Sequence, residues 1–433
     1  MINTLLFDLD DTLLGNDMGT FLPAYFGRLG AAFAATPGSE RLVPEMLSAT
    51  QAMMANQDPE RRLIDVFADC FSQGTAWSRA DWEPRFEQFY AGGYRDLRTV
   101  TTPRPEARQV LEWAIARGYQ VAIATNPLFP SAAMNERLRW AGLDNLPFAL
   151  VTSVDSSHFA KPRPEFYAEV LARLGRKPEQ ALMIGNDWDN DIVPAAALGM
   201  ITYWVTPNGA AGGGSRTAAS RGLDWVEARP IGQGPLQGLA YSLAALPEDD
   251  QPPAPHGPGL PYLLSGNLAA LMGDLADWPA EKWSRRPKAG EWSLTEIVCH
   301  LRDVEREVNL PRLQAVIEQD NPFISGADTD PWALERNYAA QDGPRALRDF
   351  AQARKASARL LRRQPPSIWT RTARHAIFGP TQLVEIVGWF LDHDLIHLEQ
   401  VRKTKSSVGV WEPGSAAGKA MPTTPDTHTP TRS

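Results

Sequence analysis

Residues 4–12 read Thr4-Leu5-Leu6-Phe7-Asp8-Leu9-Asp10-Asp11-Thr12. The apolar run at 4–7 is too short for a helix and stops at a cluster of carboxylates, as a buried parallel strand does. In an open α/β sheet, ligands bind where the C-terminal strand ends converge, so Asp8 and Asp10 are expected in a crevice.

Working outward, short apolar runs recur at 121–125, 148–151, 181–184 and 201–205, with helical patterns at 105–117, 131–141, 164–174 and 190–198. Strand alternating with helix predicts an α/β fold with a doubly wound parallel sheet. Residues 15–100 carry no comparable strand run. Leu63, Val66, Phe67, Cys70 and Phe71 follow helical spacing there, so a helical cap inserted after the first strand is expected. Residues 208–215 are Gly-rich and read as a flexible loop, and residues 246–258 read as a Pro-rich linker. Such a linker predicts two halves with few contacts between them. Beyond it strand signals fade, and amphipathic patterns at 261–276, 293–318, 344–363 and 381–404 fit an all-α four-helix bundle. The expected organisation is a core at 1–14 and 101–245, a cap at 15–100, a bundle at 259–405 and a disordered tail at 406–433 rich in Pro, Thr, Ser and Gly.

Composition narrows the function. The chain has 433 residues, and 43 basic against 51 acidic side chains give a net charge of −8. That balance lacks the footprint of non-specific nucleic-acid binding, and no basic excess points to a membrane surface. No run of about 18 apolar residues is present, so no membrane span is expected. Two cysteines, Cys70 and Cys299, exclude a disulfide framework and a Cys-rich zinc site, which suits a cytoplasmic protein. Nothing in the composition speaks to oligomeric state.

The strand ends carry a coherent chemistry. One carboxylate of Asp8 and Asp10 can attack phosphorus and the other can protonate the leaving oxygen. Thr125 and Asn126 end the second run, Lys161 precedes a helix, and Asp187, Asp189 and Asp191 follow the fourth run. Such a concentration of carboxylates needs a cation, and Mg²⁺ prefers oxygen ligands. Any one of these alone reads as a turn, a cap or a surface charge; their joint order at successive strand ends favours a site.

On these four motifs, residues 1–245 resemble the haloacid dehalogenase-like hydrolase superfamily. The resemblance implies Asp8 as nucleophile, Asp10 as general acid/base, phosphate contacts from Thr125 and Lys161, and Mg²⁺ on Asp8, the Asp10 carbonyl and the fourth motif. An acid at Asp10 favours phosphatase over dehalogenase, since an alkoxide leaving group needs a proton and a halide does not, and the large cap suggests a small phosphorylated substrate. The fourth motif departs from the usual Gly-Asp by reading Gly185-Asn186-Asp187. Either Asn186 is a neutral oxygen ligand, or Asp187 joins Asp191 as the metal pair; Asp187 with Asp191 is the expectation adopted.

In the second half, His393 and His397 stand four apart on the inward stripe with Ile386, Phe390 and Val401. His300 aligns with Ile297, Leu301 and Val304 on a helix announced by the capping box Ser293-Leu294-Thr295-Glu296. Three imidazoles facing one interior predict a metal site with open positions for Zn²⁺, Ni²⁺ or Fe²⁺. His375 is expected in a loop. The segments at 290–305 and 392–400 resemble the DinB-like family, which implies a four-helix metal-binding bundle with ligands His300, His393 and His397. Its members include thiol S-transferases that use low-molecular-weight thiols. The expectation is therefore a Mg²⁺-dependent phosphatase fused to a DinB-like domain. The alternatives are a metal-dependent thiol S-transferase or a non-catalytic binding module in the second half.

Overall fold

The computed structural model describes residues 1–206, 223–246 and 257–409. The Gly-rich loop at 208–215, most of the linker and the tail beyond 409 lie outside the described residues. Strands β1 (Thr4–Phe7) and β2 (Leu14–Gly15) open the chain, followed by the cap helices α1 (Met18–Phe33), α2 (Leu42–Ala55), α3 (Leu63–Thr75) and α4 (Arg79–Ala91). Strand β3 (Thr102–Pro103) pairs back antiparallel to β2, so the cap stands on a two-stranded stem. Each cap helix buries an apolar stripe. In α3 that stripe is Leu63, Val66, Phe67 and Phe71, while Cys70 is half-buried. The helix starts are ordinary: Asp17 accepts from the backbone of Gly19 and Thr20, and Ser78 with Asp81 forms a capping box.

Then come α5 (Pro105–Ala116), β4 (Gln120–Ile123), α6 (Ser131–Trp140), β5 (Leu150–Val151), α7 (Pro164–Leu174), β6 (Ala181–Gly185), α8 (Val193–Ala196), β7 (Ile201–Val205), β8 (Gly232–Gly234) and α9 (Leu239–Ala244). The sheet order is β5-β4-β1-β6-β7-β8, parallel at every pairing. Phe7 stands opposite Ile123 on one side and Ile184 on the other, so three strand ends finish level. The order reverses between β1 and β6, the place where such sheets open a crevice.

The second half contains α10 (Leu260–Leu275), α11 (Leu294–Val304), α12 (Leu310–Glu318), the short α13 (Trp332–Glu335), α14 (Gly343–Arg362) and α15 (Leu383–Gly409). A π turn at Glu305–Asn309 joins α11 to α12, so the pattern at 293–318 is one helix with a bulge. Three expectations are corrected. A small sheet of β9 (Phe323–Ile324), β10 (Thr372–His375) and β11 (Gly379–Gln382) accompanies the helices, so this half is not purely helical. His375 lies buried in β10 rather than in a loop. Residues 406–409 continue α15 and are not tail.

The halves are also not separate. Helix α7 is buried on nearly every side. One side packs on Leu6, Ala122 and Met183 of the sheet, and the core runs on without a break into Leu260, Leu264, Val387 and Phe390 of the bundle. A Cβ on Gly266 of α10 would sit 2.4 Å from Ala168 Cβ, so the two helices approach backbone to backbone. Arg362 crosses to the buried Glu165 at 3.0 Å and Arg62 to Asp277 at 3.2 Å. A Pro-rich stretch predicts freedom only where its flanking domains bury nothing against each other. Among the described residues no helix is long and apolar enough to cross a membrane.

Gly266→Leu is expected to lower stability by about 2 kcal/mol or more through overpacking of this seam. Gly388→Ala, on α15 with open space around it, is expected to raise it by roughly 0.5–1 kcal/mol. Denaturant unfolding of the full chain checks both; equal effects would show that α10 does not approach α7 this closely.

Candidate functional site

The chain turns sharply after β1. Asp11 adopts a left-handed conformation (φ 58°), which aspartate tolerates better than most residues, and its N–H donates to the Leu14 carbonyl. The turn leaves Asp8 and Asp10 at the crevice. Lys161 donates to Asp8 Oδ1 and to Asp191 Oδ1, each at 2.7 Å, with all three side chains buried. Asn126 Oδ1 accepts from the Lys161 backbone N–H at 3.2 Å and fixes the start of that loop. Gly185 makes room for Asp191: a Cβ there would fall 2.2 Å from Asp191 Oδ2. Tyr167 donates to the Asn190 carbonyl at 2.7 Å and closes the floor.

Burial pushes the Asp8 carboxyl up to about 7 against the pull of Lys161, with Asp191 adding to the rise. Lys161 itself is held above its ordinary value; burial opposes its charge, but Asp191 and Asp8 outweigh it. Two buried carboxylates thus share a single cation. The ligand atoms that Asp8 and Asp191 offer are carboxylate oxygens carrying more negative charge than the one ammonium balances, so a hard divalent cation fits this set.

The fourth motif divides its labour. Asp187 caps the turn that follows it, accepting from the N–H groups of Asp189 and Asn190 at 2.9 Å and from Asn190 Nδ2 at 2.6 Å. Asn186 Oδ1 accepts from the Thr12 hydroxyl at 3.0 Å. Asp191 alone of these turns its carboxylate to Lys161. Thr125 is buried on the cavity wall, its carbonyl held by the Thr152 hydroxyl at 2.6 Å.

Two residues at this site have no motif to announce them. Asn16 donates to Asp10 Oδ1 at 2.7 Å, and Arg137 donates to Asp10 Oδ2 at 2.8 Å. Arg137 is fully buried over the rings of Phe129 and Phe21. A readable signal existed for it: Ala133, Met134, Leu138 and Ala141 form the inward stripe of α6, and Arg137 interrupts that stripe with a charge.

In the bundle, Nε2 of His300 and Nε2 of His397 each lie 3.1 Å from Nε2 of His393. These three form the one cluster of metal-ligating side chains of this kind among the described residues. Burial, reinforced by the neighbouring imidazoles, pushes His300 and His393 down to about 3, and burial also lowers His397. A neutral imidazole keeps one N–H and offers one lone pair, and three Nε2 atoms converging on one point fit a borderline metal ion. Gln400, one turn on from His397, meets its Nδ1 at 2.8 Å and orients the ring, while Trp292 stacks on it. Below, Arg354 is buried between Asp394 and Glu305, which Asn267 and Asn309 also contact.

The two halves match known families. Residues 2–199 match the model of the haloacid dehalogenase-like hydrolases, and residues 264–401 match that of the DinB superfamily. The chain is 26% identical over 209 residues to Pyrophosphatase PpaX of Bacillus cereus (strain AH820), covering 47% of this chain and 83% of that protein. It is 28% identical over 222 residues to the phosphoserine phosphatase of Thermus thermophilus, covering 46% and 87%. Among solved structures it is similar to YfiT of Bacillus subtilis, described as a probable metal-dependent hydrolase with an unusual four-helix bundle topology. That match has 16% identity and a TM-score of 0.32, over 38% of this chain and 91% of that one.

Lys161→Met is expected to cost about 3–5 kcal/mol, because it leaves Asp8 and Asp191 buried without a counter-charge. Adding Mg²⁺ should recover part of the loss. Thermal unfolding with and without Mg²⁺ checks this, and a variant as stable as wild type would remove Lys161 from its bridging role.

Proposed function

From a chain that joins a haloacid dehalogenase-like hydrolase domain at 2–199 to a DinB-superfamily domain at 264–401, we propose a Mg²⁺-dependent phosphatase of small phosphomonoesters. The carrying observation is the Asp8–Lys161–Asp191 ion triad at the level strand ends, with Asp10 beside it. Similarity to proteins named as phosphatases supports the same reading.

Asp8 attacks phosphorus; the bond from phosphorus to the ester oxygen breaks, and Asp10 delivers a proton to the departing alkoxide. Water, activated by the now anionic Asp10, then attacks phosphorus of the aspartyl-phosphate, releasing phosphate and regenerating Asp8. Arg137 and Asn16 hold Asp10 in position, and Lys161 and the Thr125 segment meet the phosphoryl oxygens. Asp8, the Asp10 carbonyl and Asp191 would hold Mg²⁺, which supplies charge neutralisation for the phosphoryl group. Asp187 is spent on capping and Asn186 Oδ1 on the Thr12 hydroxyl, so either would join Asp191 on the metal only by sharing or giving up the bonds it makes here. The enclosing cap excludes water from the intermediate.

For the bundle, the proposal is a divalent transition metal, such as Zn²⁺, Ni²⁺ or Fe²⁺, on His300, His393 and His397. Three protein nitrogens leave positions open for a further ligand, a low-molecular-weight thiol among them. Two free thiols, Cys70 and Cys299, suit a cytoplasmic setting.

Asp8→Asn is expected to abolish turnover of p-nitrophenyl phosphate, and Asp10→Asn to lower kcat for an alkyl phosphate, whose alkoxide needs the proton, by about 10²–10⁴-fold. Wild-type rates in either would overturn the assignment. Separately, Gln400→Ala should weaken retention of Zn²⁺ by roughly 10–100-fold, read by chelator competition. A larger loss is expected for His397→Ala, and unchanged affinity in both would dismiss the histidine centre.

A further inference from the structure

The cavity above the ion triad has a volume of about 740 Å³, ample for a ligand far larger than a phosphate group. Its two ends differ in chemistry. At the core end lie the carboxylates and, among the described residues, the only two cations on its wall, Lys161 and Arg137, both already paired with aspartates. At the cap end the wall is apolar, dominated by Phe26, Met46, Phe67, Trp82 and Phe86, and no described cap residue on it is cationic. The polar groups there are few: Tyr25, Tyr90, Thr50 and the carboxylates Glu83 and Glu87, which add negative charge and no cation. The hydroxyls of Tyr25 and Tyr90 bond each other at 2.8 Å, and Arg79 donates to both carboxylate oxygens of Glu83. At the cavity's edge Leu47 and Met54 of α2 remain 47% and 38% exposed, so the apolar lining continues to the rim.

A second phosphate or a carboxylate in that cap end would be desolvated without a partner, which is costly. An apolar group would displace water from aromatic and methionine surfaces that adapt to its shape. Resting on the phosphatase reading above, we infer that the substrate is the phosphomonoester of a bulky apolar alcohol, its hydrocarbon lying in the cap. The reaction consumes one water and yields the free alcohol and inorganic phosphate.

The test is a series of n-alkyl phosphates on the full-length protein with Mg²⁺, each kept below micelle formation. Leaving-group basicity is nearly constant along the series, so chain length reports binding alone. Each buried methylene is expected to raise kcat/KM about fourfold, giving roughly 100-fold or more between butyl and octyl phosphate. Pyrophosphate and phosphoserine should be poorer than octyl phosphate. Met54→Glu, placing a charge on the exposed rim, should lower the octyl-to-butyl ratio by at least about tenfold. A flat alkyl series beside good turnover of p-nitrophenyl phosphate overturns the substrate class and leaves the phosphatase intact. An unchanged ratio in Met54→Glu overturns the placement of the chain along α2. No turnover of any phosphate, p-nitrophenyl phosphate included, overturns the phosphatase reading itself.

Discussion

Two carboxylates buried at the ends of neighbouring parallel strands repel each other, and everything in the first domain is arranged to make that tolerable. Asp8 leaves β1 and Asp191 lies behind β6, each within 2.7 Å of the same ammonium. In a poorly solvated site such a pairing is strong only if geometry and further hydrogen bonds are supplied, since desolvation of the ions works against it. The fold supplies them. Gly185 vacates the space for Asp191, Asn126 holds the Lys161 backbone, and α7 begins just past Lys161 and carries Tyr167 under the cluster. One cation against two anions leaves an electrostatic deficit, and a divalent ion would fill it.

The bundle answers a different problem with neutral donors. Burial disfavours the charged form of its imidazoles, so each neutral ring has one lone pair to offer where the three Nε2 atoms converge. Charge is concentrated instead in the Arg354 network below, where every anion meets a guanidinium or an amide. The two halves therefore present chemically opposite donor sets, hard oxygen in one and nitrogen in the other.

The α/β pattern was legible because its strands are short apolar runs that end abruptly in polar residues, and the sheet edges fall within a residue or two of those runs. Asp8, Lys161 and Asp191 were legible as strand-end chemistry. The histidines were legible as interruptions of an inward stripe. Arg137 was readable only as a charge on the inward stripe of α6, and its bond to Asp10, like that of Asn16, was not, because both depend on where α6 and the turn after β1 come to rest. The small sheet at β9–β11 escaped because its strands are two to four residues long, below the length at which alternation carries a signal. The seam between the halves had one overlooked clue. In α7 the apolar residues Phe166, Tyr167, Ala168, Val170, Leu171 and Ala172 spread over roughly 240° of the circumference at about 100° per residue, more than one sheet face can bury.

That seam changes what the fusion means for the cell. Because α7 belongs to one hydrophobic core with α10 and α15, the unfolded fraction of one half is tied to that of the other. Chaperones and proteases then meet a single clientele, and the abundance of the two domains rises and falls together. A substitution at Ala168 or Gly266 touches neither the carboxylate cluster nor the histidine cluster, yet it would thin the supply of both together. Heritable variation at such positions would be pleiotropic for a purely mechanical reason.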